Sequence, residues 1–136
     1  MRGRTDSDGS VGKWSRSDWW GPVLDASDAR ALAHFYRDLL DWELVVDNDN
    51  HCILHPRDGG VAYLATQTAA GYERPTWPNA EGRQQMMMHL DFEVTDLPAA
   101  VSHAVELGAE LAGLQPQDDV RVLLDPEGHP FCLYLG

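Results

Sequence analysis

Two stretches of the chain carry apolar residues at helical spacing, and most of the remainder alternates at the period of strands. In "DASDARALAHFYRDLLDW", Leu32, Phe35, Tyr36, Leu39 and Leu40 fall on one face, and Ser27 or Asp28 stands where an N-cap belongs. In "EVTDLPAAVSHAVELGAEL", Leu97, Val101, Ala104 and Val105 form the stripe expected to be buried. Asp96 is the expected cap, and Pro98 sits in the first turn, where its missing N–H leaves no helical bond unmade. Gly108 then supplies a left-handed stop.

A short strand precedes each helix and strand-like stretches follow it. "GPVLDA" leads into the first helix and "HLDFEV" into the second. After the first come "WELVV", "HCILH" and "VAYLAT"; after the second come "AELAG", "VRVLLD" and "FCLYL". The turns answer one another as well, "HPRDGG" against "DPEGHP". Gly21 aligns with His89 and Pro56 with Pro126 at nearly the same offset, so one β-α-β-β-β unit is written twice. This predicts an α+β domain over 19–136. Module one spans about 19–66, a Gly- and Pro-rich linker 67–85, and module two about 86–136. Residues 1–18 have little to bury and are expected to form a flexible tail.

Composition narrows the function classes. The net charge is −12, from 22 acidic against 10 basic side chains, which disfavours phosphate backbones and anionic lipid as partners. No apolar run reaches bilayer length, and the first residues lack the apolar segment of a secretory signal. Cys52 and Cys132 stand far apart without C-x-x-C spacing, as reduced thiols of a cytoplasmic protein do. Neither nucleic acid nor membrane is an expected partner.

The paired units, with "HLDFEVTDLPAAVSHAVELGAEL" and the closing "DPEGHPFCL", resemble the vicinal oxygen chelate superfamily. That superfamily takes in glyoxalase I, bleomycin-resistance and fosfomycin-resistance proteins and extradiol dioxygenases. The resemblance implies a fold of paired βαβββ modules whose curved mixed sheets form a cup. Its metal-dependent members draw one ligand from the first and one from the last strand of each module. Carried onto this chain, those places fall at Gly21, Ala62, His89 and Cys132, with Tyr63 one residue from the second. Gly21 and Ala62 offer no donor atom, so the full glyoxalase I metal site is not expected. The resemblance also implies a homodimer, with modules paired edge to edge within one chain or exchanged between two.

Strand alternation places His89 and Asp91 on one face and Leu90, Phe92 and Val94 on the other, with Cys132 and Tyr134 opposite Phe131 and Leu133. Three readings follow. His89 and Asp91 could carry metal-free acid–base chemistry on a small oxygenated or carbonyl compound, as an isomerase or lyase, with Asp25, Tyr63, Trp77, Cys132 and Tyr134 lining the ligand. The cup could bind a cationic aromatic drug without catalysis, with Trp77 of "RPTWP" crossing its mouth or packing outside the sheet. A divalent metal, zinc or iron, could be held by His89 and Cys132. His34 and His103 are expected to be solvated, His55 to begin a turn, and His129 to face solvent from the "EGHP" turn.

Overall fold

The computed structural model describes residues 19–136, so the tail expected over 1–18 lies outside the described residues. The first unit runs β1 (Val23–Ala26), α1 (Ala29–Leu40), β2 (Glu43–Asn48), β3 (His51–His55) and β4 (Leu64–Thr68). The second runs β5 (Leu90–Val94), α2 (Leu97–Glu106), β6 (Glu110–Leu111), β7 (Val120–Leu124) and β8 (Pro130–Leu135). Each unit folds as an open four-stranded sheet, ordered β1-β4-β3-β2 and β5-β8-β7-β6. The first strand pairs parallel with the last, and the other pairs are antiparallel. The fold is thus α+β, a βαβββ unit built twice, as the repeat predicts.

Local chemistry sets the helix ends. Asp28 and Asp96 are both extended, and their carboxylates accept from the N–H groups of Ala31 and Ala99, filling donors that a helix start leaves unpaired. Gly108 adopts φ +111 just past α2. Four expectations shift. Val105 is 47% exposed, so the α2 stripe narrows towards Leu97 and Ala104. "VAYLAT" enters its ladder only at Leu64, and Ala62 makes an isolated bridge to Trp20. "AELAG" gives a strand of two residues. His55 ends β3 inside the structure, 3% exposed and stacked 4.8 Å from Trp19, where a turn residue was expected.

Among the described residues no ladder joins the two sheets. An aromatic core joins the units instead. Phe35 and Tyr36 of α1 lie 6.2 and 6.3 Å from Phe131 of β8, and Phe92 of β5 lies 6.1 Å from the same ring. Edge-to-face pairs at such spacings add to the burial of the rings themselves. Leu32, Leu54, Leu123 and Phe131 are each fully buried in this one core, which runs through both units.

The "DPEG" turn supplies the polar half of the junction. The Tyr36 hydroxyl donates to Asp125 Oδ2 at 2.9 Å across the buried seam. The Glu127 carboxylate accepts from the Ser27 and Asp28 backbone N–H groups and from the Ser27 hydroxyl, at the start of α1. A turn of the second unit therefore caps the helix of the first, and an anion at a helix N-terminus is the favourable sign.

Candidate functional site

The apolar residues of β5 and β8 face the core, which turns the intervening polar ones away from the helices. Leu90, Phe92 and Val94 pack inward, and so do Phe131 and Leu133. Asp91 and Glu93 are exposed, and Asp91 stands in register beside Cys132, with Glu93 beside Tyr134. His89 lies one residue before β5. Its Nε2 is 3.3 Å from Asp91 Oδ1, with the two side chains 41% and 57% exposed. The ligand atoms of His89, Asp91 and Cys132 all fall within 4.8 Å of one another.

Burial pushes the Cys132 thiol up to about 11, and the neighbouring Asp91 charge and its hydrogen bond to the thiol push it the same way. At neutral pH this sulfur is a thiol and a hydrogen-bond donor, not a thiolate nucleophile. Cys52 differs in place and partner. It is fully buried on the helix side of β3, and its Sγ donates to the Asn48 carbonyl at 3.1 Å.

Imidazole, carboxylate and thiol donors gathered at this spacing fit a zinc- or iron-type ion as a three-residue set. Such an ion would supply a Lewis acid there. The first unit adds no donor to the group. Gly21 has a steric reason to lack a side chain: a Cβ built on it would stand 1.9 Å from the Tyr63 carbonyl oxygen. Tyr63 N–H in turn donates to the Trp20 carbonyl at 3.0 Å, which locks the two segments together.

The remaining expected residues are dispersed. Asp25 accepts from Gln67 Nε2 at 2.8 Å and lines a cavity beside the linker. Tyr63 stacks obliquely with Trp19 at 6.4 Å. Trp77 donates from Nε1 to the Leu114 carbonyl at 3.3 Å, which sets it against the loop between β6 and β7. Tyr134 shares the outward face of β8 with Cys132. His103 is exposed, as expected, and His34 lies 3.4 Å from Asp47.

One expectation is corrected at the turn before β8. His129 does not face solvent: its side chain is 15% exposed, and Nδ1 lies 2.8 Å from Asp125 Oδ2. The Asp125 carboxylate also accepts from the backbone N–H groups of Glu127 and His129. The i, i+4 spacing of an acid and a histidine about the turn was visible. What the sequence could not show is that Tyr36 and Tyr72 close over it.

A fold of two βαβββ units, each with its first strand parallel to its last, is that of the vicinal oxygen chelate superfamily. The family model of the glyoxalase-like domain matches residues 22–134, and the chain belongs to that family. Solved structures share the fold at low identity. A fosfomycin resistance protein from Listeria monocytogenes superposes with a TM-score of 0.64 at 14% identity, covering 89% of this chain and 92% of that one. A glyoxalase-related enzyme from Fulvimarina pelagi gives 0.62 at 21%, covering 85% and 86%. A glyoxalase family protein from Enterococcus faecalis gives 0.60 at 24%, covering 84% and 94%. No curated protein sequence matches the chain at a significant level.

Proposed function

We propose that this chain binds a small oxygenated or carbonyl compound on the outward face of its second sheet and moves a proton on it, as a metal-free isomerase or lyase. The 3.3 Å approach of His89 Nε2 to Asp91 Oδ1 carries the reading. A carboxylate at that distance orients the ring, leaving Nδ1 to exchange a proton with the ligand. Cys132 beside them is a neutral thiol whose proton Asp91 holds, and Tyr134 extends the same face.

The face is open in one chain, and a second copy is the reading that closes it. β1 and β5 are both sheet edges, and neither pairs with the other unit among the described residues. Trp20, Val23, Met87 and Met88 are 61%, 45%, 83% and 54% exposed near those edges. Unpaired edges flanked by apolar side chains favour pairing with another chain. Exchange between two copies, rather than closure within one, is the form of homodimer this supports. A cytoplasmic location is consistent with two free thiols.

A second reading has its own observation, the 4.8 Å gathering of His89, Asp91 and Cys132, which suits a divalent metal. Binding without catalysis, of a cationic aromatic drug, is the third; the overall charge of −12 favours it, and the Trp77 bond to Leu114 gives it no stacking platform at the cluster.

The test is a thermal-shift and NMR screen of small hydroxy-ketones and aldehydes against EDTA-treated protein, repeated on His89→Ala. Hits whose shifts map to Asp91, Cys132 and Tyr134, and whose affinity falls in the variant, support the proposal. Hits bound equally by the variant overturn it.

A further inference from the structure

Strand register lays out the outward face of the second sheet as a grid. Asp91, Cys132 and Val122 form one row, and Glu93, Tyr134 and Val120 form the next. Neighbouring strands lie about 4.8 Å apart, and residues on one face of a strand about 7 Å apart, so both rows are within reach of one small molecule held at His89. Asp91 and Glu93, both exposed, therefore make a carboxylate edge along β5. The Cys132 thiol and the Tyr134 phenol separate that edge from the two valines of β7.

The sheet sets no arginine or lysine against this edge. Residues 19–136 hold six arginines and no lysine, and only Arg121 lies on a strand of the second sheet. Arg121 stands in register with Leu133, which packs into the core, so it takes the helix side. Its Nη1 donates to the carbonyls of Gln117, Asp118 and Val120 at 3.2, 3.0 and 2.8 Å. Asp91 has His89 beside it, while Glu93 pairs with no cation among the described residues.

From this arrangement we infer the charge class of the ligand: the face takes an uncharged hydroxy or carbonyl compound and excludes its anionic counterparts, with Glu93 setting the discrimination. The inference rests on the reading of this face as the ligand site. A carboxylate or phosphate brought to His89 meets two like charges and no guanidinium or ammonium to offset them. A ketone or alcohol makes its hydrogen bonds there without that repulsion. Glu93 is a specificity residue and takes no part in moving the proton.

Hydroxyacetone and glycolate make the test, because they differ by one methyl exchanged for a carboxylate oxygen, so size is matched and charge is not. Each is titrated into the ¹⁵N-labelled full chain, with amide shifts read at Asp91, Cys132 and Tyr134. At low salt glycolate is expected to bind about tenfold or more weaker than hydroxyacetone. Glu93→Gln, or about 0.5 M NaCl, should narrow that gap about threefold or more and leave the affinity for hydroxyacetone unchanged. Glycolate binding as tightly as hydroxyacetone, or a gap that neither the variant nor salt narrows, overturns the inference and leaves the ligand site standing. No saturable shift with hydroxyacetone removes the ligand site itself, and the inference with it.

Discussion

The Tyr36 hydroxyl, on the helix of the first unit, donates at 2.9 Å to Asp125 Oδ2 in a turn of the second, and neither side chain reaches water. Burial first, and then the Asp125 charge, raise the Tyr36 phenol well above its ordinary value, so the proton stays on the tyrosine. Removing it leaves a buried carboxylate with one donor fewer. Tyr36→Phe should cost about 1–3 kcal/mol, since a bond to a buried charge is lost while the ring still packs. Urea denaturation checks this: a lower midpoint at unchanged slope is expected.

Glu127 caps α1 from outside its own unit. Glu127→Ala removes acceptors from the Ser27 and Asp28 N–H groups and should destabilise by about 1 kcal/mol, in the range of a lost helix cap. Glu127→Gln keeps an oxygen but loses the charge, so it should fall between the two. Thermal melts of the three proteins order them.

The missing ligand at Gly21 is enforced by packing, so it cannot be restored by substitution. Gly21→His should destabilise the fold rather than bind zinc, because the Cβ alone meets the Tyr63 carbonyl oxygen at 1.9 Å. Soluble yield, melting temperature and zinc content of the variant are the measurements. A stable variant that holds stoichiometric metal through residue 21 contradicts this.

Cys132 should ionise near about 11, seen as thiolate absorbance or as the rate of alkylation against pH, with the fully buried Cys52 reacting last. Asp91→Asn should lower that value, because a charge and a hydrogen bond that both favour the thiol are removed. The sign for stability follows. The folded value lies above the ordinary 9.0, so the contribution is complete below 9.0 and is lost as pH rises through about 11. In the metal reading, zinc added at neutral pH must displace this proton, and release of about one proton per ion would be measured.

The repeat, both caps and the strand pattern were legible because each rests on local rules: period, cap chemistry and turn residues. The outward direction of Asp91 and Cys132 was legible for the same reason, since alternation fixes a face once Phe92 and Phe131 are assigned to the core. His129 was not, because its burial depends on Tyr36 and Tyr72, distant in sequence. Val105 departed from its stripe because α2 packs a narrower face than its pattern offers. Trp77 could be read equally as a lid or as packing, and only the position of the Leu114 carbonyl decides where it sits.

The central claim is that proton chemistry resides on the second sheet alone, with His89 moving the proton. Exchange of α-hydrogens of hydroxyacetone and dihydroxyacetone for deuterium, followed by NMR with EDTA-treated protein in D₂O, tests it most directly. The account predicts exchange above the buffer rate that is lost in His89→Ala and reduced in Asp91→Asn. Exchange that persists undiminished in His89→Ala, or its absence from the unsubstituted protein, would contradict it.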